Sequence, residues 1–196
     1  MIRLGLTGSI GMGKSTTAGL FREAGVPVWD ADAAVHRLYA LGGAAVGPIG
    51  ALYPDAIVGR AVSRKVLKDI IAQDRDALRR IEAIVHPLVA ADRAAFIAEA
   101  GDAPLVVLDI PLLYETGAEA GLDKVLVVTA PPEVQRQRVL DRGTMTAAEF
   151  EAILARQMPD AQKRDRADFV VETLTLDEAR AAVHNVIEAL LGDDDA

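Results

Sequence analysis

The chain has 196 residues, enough for one compact domain with a small appendage, and its 51% apolar and 26% charged content is that of a globular protein. It has no cysteine, which removes disulfides, thiolate metal sites and cysteine nucleophiles together. The formal net charge is −8, part of it in the tail Asp193-Asp194-Asp195. Nucleic acid is therefore not an expected partner, and a polyanionic ligand needs local cations, helix N-termini or metal ions to hold it. The start, Met1–Thr7, has no sustained apolar stretch with a cleavage site, and no run is long enough to span a bilayer. The expectation is a cytoplasmic protein with no membrane partner.

In chain order, short apolar runs predict strands over Ile2–Thr7, Val26–Trp29, Leu105–Asp109, Lys124–Thr129 and Phe169–Glu172. Each is nearly continuous in apolar residues, as in strands buried on both faces of a parallel sheet. Between them, Ser15–Ala24, Ala31–Tyr39, Pro132–Asp141 and Leu176–Leu191 carry helical spacing. The alternation predicts an α/β, doubly wound fold with a parallel sheet flanked by helices. From about Ser63 to Ala100 the pattern is helical throughout, with no strand expected between Trp29 and Leu105. That is too long for an ordinary crossover and predicts a helical insertion over about residues 60–100. No linker or repeat divides the chain, so a single domain over 1–196 is expected.

Directly after the first strand, Gly8-Ser9-Ile10-Gly11-Met12-Gly13-Lys14-Ser15-Thr16 matches G-x-x-x-x-G-K-[ST] in full. Gly8, Gly11 and Gly13 permit the tight turn that aims backbone N–H groups, that of Met12 included, at phosphate oxygens. The helix that follows adds its positive end. Lys14 is placed to reach the β- and γ-phosphates of ATP, the Ser15 hydroxyl to bind Mg²⁺, and Thr16 to meet the α-phosphate.

Ligands in open parallel sheets bind beyond the carboxyl ends of the strands, and two acidic sites fall there. Asp30-Ala31-Asp32 follows the second strand. One of the pair, Asp30, is placed to cap the next helix, which leaves Asp32 as the candidate base for an attacking hydroxyl. Asp109 ends a hydrophobic strand in the Walker B manner, where a carboxylate orients Mg²⁺ or its water. Later come Arg136, Arg138, Arg142, Arg156, Lys163, Arg164 and Arg166. Most such side chains are only solvated. Arg138 and Arg142 are the candidates for contact with the transferred phosphoryl group, and the polar run Thr144–Glu149 beside Gly143 for a mobile lid. These residues leave the acceptor open among small-metabolite and nucleoside monophosphate kinases. A nucleotide switch is the other class, although no N-K-x-D guanine-reading motif is present.

Further segments, in order, resemble the dephospho-CoA kinase family over almost the whole chain. The opening Gly5–Thr16 is very close to its first signature, and Asp30-Ala31-Asp32 to its DAD motif. Ser63-Arg64-Lys65-Val66-Leu67 looks like its R-x-x-L segment, and His86-Pro87 like its HP pair. Asp109-Ile110-Pro111-Leu112-Leu113-Tyr114-Glu115 is similar to its D-x-P-L-L-[FY]-E block. Gln135, Arg138 and Arg142 fit its Q-x-x-R-x-x-x-R pattern, followed by Arg156-Gln157 and Ala167-Asp168. The chain departs from it at Glu172-Thr173, where Asn is usual near the purine pocket, and at Leu52-Tyr53-Pro54, where Phe-Gly is usual.

The resemblance implies a three-layer P-loop kinase fold with a helical substrate-binding insertion and a small lid over about residues 138–160. It implies ATP and Mg²⁺, with dephospho-CoA as the small-molecule acceptor, in a monomer or weak homo-oligomer. The final Asp of the DAD motif, Asp32, is the implied base, and Arg64, His86, Tyr114 and Glu115 are the implied substrate-site residues.

Overall fold

The structure, a computed structural model, describes residues 1–192; the acidic run Asp193-Asp194-Asp195 lies outside them. In chain order the first elements are β1 (Ile2–Thr7), α1 (Lys14–Glu23), β2 (Val28–Asp30), α2 (Ala31–Tyr39), α3 (Val46–Leu52), β3 (Ile57–Val58), β4 (Ala61–Val62), α4 (Arg64–Gln73) and α5 (Ala77–Glu99). Then follow β5 (Leu105–Asp109), β6 (Lys124–Thr129), α6 (Pro132–Asp141), α7 (Ala147–Leu154), α8 (Asp160–Arg166), β7 (Phe169–Glu172) and α9 (Leu176–Leu191). They fall into two compact units, Met1–Trp29 with the described residues from Asp102 onward, and Asp30–Gly101.

The first unit is built on a five-stranded sheet in the order β2-β5-β1-β6-β7. β1 pairs in parallel with both β5 and β6, and β6 in parallel with β7. All five residues of β5 are buried, which explains its unbroken apolar sequence. On one face Leu4, Leu6, Leu105, Val107, Leu126 and Val128 pack with Phe21 of α1. α9 completes that core with Ala179, Val183, Val186 and Leu190, a single stripe at helical spacing. Thr175 starts α9 by accepting the Glu178 N–H at 3.2 Å.

The second unit packs α2, α3, α4 and α5 around Leu38, Ile49, Leu67, Ile81 and Val85. It corrects one expectation, because β3 and β4 form an antiparallel hairpin between Trp29 and Leu105. Two-residue strands carry no readable alternation. The turn between them, Gly59 at φ 59° and Arg60 at φ 67°, is left-handed at both positions, as a tight hairpin requires. The helical stretch is also interrupted: α4 stops at Gln73, and the Asp74 side chain accepts the Asp76 N–H at 2.9 Å before α5 begins. Among the described residues no helix is long and apolar enough to cross a membrane.

Candidate active site

The register brings the glycine-rich loop and the Asp109 carboxylate to one edge of the sheet. Leu6 lies opposite Asp109 and Thr7 opposite Val127, so the loop beginning at Gly8 leaves the carboxyl end of β1 between its neighbours. α1 starts at Lys14 with Gly13 as its N-cap. Having no side chain, Gly13 leaves the first-turn N–H groups uncapped and open to an anion. Its φ is +88°, and a Cβ there would stand 2.7 Å from Thr173 Oγ1. Gly13→Ala therefore meets both a strained backbone and a clash, and a fall of at least about 10²-fold in kcat/KM for ATP is expected in steady-state assays.

The back of the loop is tied to residues outside it. Met12, 2% exposed, accepts the Ala130 N–H on its Sδ at 3.0 Å, and its carbonyl accepts Thr173 Oγ1 at 2.8 Å. Arg138 donates to Thr173 Oγ1 at 2.9 Å, to the Thr173 carbonyl, and to the Leu174 carbonyl at 3.3 Å. Thr173, the residue at which the chain departs from the family pattern, thus links Arg138 of α6 to the loop. Nothing in the sequence signalled this, since a Thr after a strand reads as a turn residue. Arg142 is exposed at the C-cap of α6.

Lys14 Nζ forms an ion pair with Asp109 Oδ1, and the Asp109 carboxylate is only 2% exposed. Ser15 and Thr16 are exposed in the first turn of α1. A hydroxyl and a carboxylate oxygen are the hard donors that suit Mg²⁺, which takes its remaining ligands from water and phosphate. A dense cluster of acidic or His ligands is not required for that, and none exists among the described residues.

Beyond β5, Tyr114 is buried and Arg166 stacks over its ring with Cζ 4.3 Å from the centroid. Glu115 accepts the Met158 N–H at 2.8 Å and pairs with Lys163 Nζ at 2.9 Å. Lys163 is fully buried, although its setting in the charged run Gln162–Arg166 reads as a solvated helix face. Burial pushes the Glu115 carboxyl up, but the bonds from Lys163 and the Met158 N–H outweigh it and leave the group below its usual value of 4.5. The lowered group stabilises the fold above the unfolded-state value, and that contribution disappears as pH falls through the folded-state value. Glu115→Gln is therefore expected to flatten the loss of stability below about pH 4.5 in urea titrations run at successive pH values.

In the second unit, Asp30 caps α2 by accepting the Ala33 N–H at 2.9 Å. Asp32 is left exposed in the first turn. Arg64 is exposed at the start of α4, with its Cζ 5.7 Å from the Tyr39 ring centroid. His86 is exposed in α5, directly before Pro87.

Comparison with known proteins assigns the chain. The family model for dephospho-CoA kinase (CoaE) matches residues 2–177. A dephospho-CoA kinase from Cereibacter sphaeroides is 69% identical over 94% of this chain and 93% of its own. Among solved structures, TT1252 from Thermus thermophilus superposes with a TM-score of 0.86 at 37% identity, over 97% of each chain. Dephospho-CoA kinase from Campylobacter jejuni shares the fold with a TM-score of 0.71 at 24% identity, over 97% of this chain and 98% of that one. These matches run through nearly the whole sequence, phosphate loop and later motifs alike, and the chain belongs to the dephospho-CoA kinase family.

Proposed function

We propose that the phosphate loop, the carboxylates of Asp32 and Asp109, and Arg138 and Arg142 perform this family's reaction, transfer of the ATP γ-phosphoryl group to the ribose 3′-hydroxyl of dephospho-CoA. The chain is an ATP-dependent kinase of coenzyme A synthesis. The observation that carries the assignment of parts is the Lys14–Asp109 ion pair, which joins the phosphate-loop lysine to the Walker B carboxylate.

In this reading Gly8, Gly11, Met12, Gly13, Lys14, Ser15 and Thr16 hold the triphosphate through backbone N–H groups, the Lys14 ammonium and the hydroxyls. Ser15 and Asp109 would hold Mg²⁺, which when bound neutralises charge on the phosphate oxygens. Asp32 orients the acceptor hydroxyl and takes its proton as the oxygen attacks in line. Lys14, Arg138 and Arg142 stabilise the charge spread over the transferred group. Arg64 and His86, with Tyr114 and Glu115, belong to the acceptor side. Glu115 acts there by holding Met158 and Lys163, the segment that follows α7. Residues 138–160 serve as the lid that keeps water from competing as acceptor.

The test is ADP release with ATP and Mg²⁺ in the presence of dephospho-CoA, AMP, other nucleosides or no acceptor. Release that requires dephospho-CoA, with coenzyme A as product, is expected. Release driven equally well by another acceptor would overturn the reading.

A further inference from the structure

The phosphate loop is gripped at one residue by two glutamines. Ile10 N–H donates to Gln157 Oε1 at 3.1 Å, and the Ile10 carbonyl accepts Gln135 Nε2 at 2.7 Å. The two bonds fall on the two peptide groups that flank Ile10. Since each peptide is planar, the two bonds restrain the two planes whose relative orientation defines the Ile10 dihedrals. The next residue, Gly11, has φ +80°, and a Cβ there would lie 2.9 Å from the Gln135 carbonyl and 2.6 Å from Val139 Cγ2. α6 therefore rides directly on the turn that Ile10 enters.

The glutamines come from different places. Gln135 is buried in α6, one turn before Arg138. Gln157 lies between α7 and α8, and its neighbour Met158 is fixed by Glu115. Met12, Gln135 and Gln157 also line a cavity of about 900 Å³. Beside that cavity the two amide hydrogen bonds act at Ile10, while Met12 and Val139 pack the adjoining part of the loop.

We propose that Gln135 and Gln157 are paired positioning residues that clamp the two peptides around Ile10, hold the phosphate loop in the shape that receives the ATP phosphates, and, through Gln157, tie that shape to the segment following α7. Neither touches the reacting atoms. Their effect is on where the N–H groups of residues 11–16 point, and therefore on kcat more than on acceptor binding.

The backbone dictates which end of each amide is used: Ile10 N–H can bond only an oxygen, and the Ile10 carbonyl only an N–H. Glutamate, of the same shape, keeps the acceptor needed at 157 and loses the donor needed at 135. Gln157→Ala is expected to lower kcat by about 10- to 100-fold with the KM for dephospho-CoA changed less than about 2-fold. Gln157→Glu is expected to recover most of that kcat. Gln135→Glu is expected to be no better than Gln135→Ala at neutral pH, and to gain on it as pH falls and the carboxyl regains a proton to donate. The added negative charge weakens ATP binding in both glutamate variants, so the comparison is made at saturating ATP.

A thermal melt accompanies each variant, and if those at the buried Gln135 do not fold, the Ala and Glu variants of Gln157 decide alone. Wild-type kcat in Gln157→Ala, or glutamate variants that track the alanine ones at both positions, would overturn the proposal. The inference rests on residues 8–16 being the ATP loop. Lys14→Ala, which leaves both clamps in place, tests that separately: if it turns over normally, the loop reading fails rather than the clamp.

Discussion

Asp32→Asn is expected to lower kcat by about 10²- to 10⁴-fold while the dissociation constant for ATP stays within about 2-fold of wild type. Asn keeps the size and hydrogen-bonding shape of the side chain but cannot accept the hydroxyl proton. The variant isolates chemistry from folding because of how α2 is built. Asp30 supplies the cap, through its bond to the Ala33 N–H, and Asp32 is exposed. What Asp32 gives the helix is only its charge near the positive end, about 0.3–1 kcal/mol. A loss of that size leaves a domain of ordinary stability folded. Steady-state turnover with dephospho-CoA, beside an ATP titration, makes the measurement. Turnover equal to wild type would remove Asp32 from the mechanism.

Lys163→Ala carries the largest expected effect on stability. The ammonium is fully buried, and its partner Glu115 has 17% of its side chain exposed. Removing one member of such a pair strands the other charge, at a cost of about 3–5 kcal/mol. In a chain of this length that corresponds to a fall of about 6–20 °C in Tm. Replacing both residues by apolar ones of similar volume, Lys163→Met with Glu115→Leu, is expected to cost less than the single change, because no orphan charge is left. If Lys163→Ala melts within about 2 °C of wild type, the pair is not what anchors α8 to the segment after β5.

Much of this architecture can be read directly from residue order. The central strands β1, β5 and β6 are apolar runs because both faces are covered, and burial of that kind writes itself into composition. The phosphate loop is legible because its glycines answer a backbone demand that few other residues meet. The DAD segment is legible in part: capping chemistry separates Asp30 from Asp32, as the Ala33 bond bears out. What stays hidden depends on distant partners. Lys163 sits in a charged run, and only its meeting with Glu115 makes it interior. Thr173 and Arg138 find one another across the gap between β7 and α6. The hairpin of β3 and β4 is too short for any period. α7 did leave a signal, for Thr146 and Glu149 form a reciprocal capping box at its start. It lies within the polar run first assigned to the lid.

The central position of β1 has a consequence for synthesis on the ribosome. β1 is made before both of its partners, so Ile2 waits for Leu105 and Leu4 for Lys124 before either edge of the strand is paired. At a translation rate of about 5–20 residues per second that interval is roughly 5–20 s or more. The intervening Asp30–Gly101 segment is a contiguous unit whose partners arrive early. The nascent chain therefore presents an apolar, unpaired strand until the Leu105 strand has been made. That is the window in which holding chaperones, or a neighbouring nascent copy, compete for it.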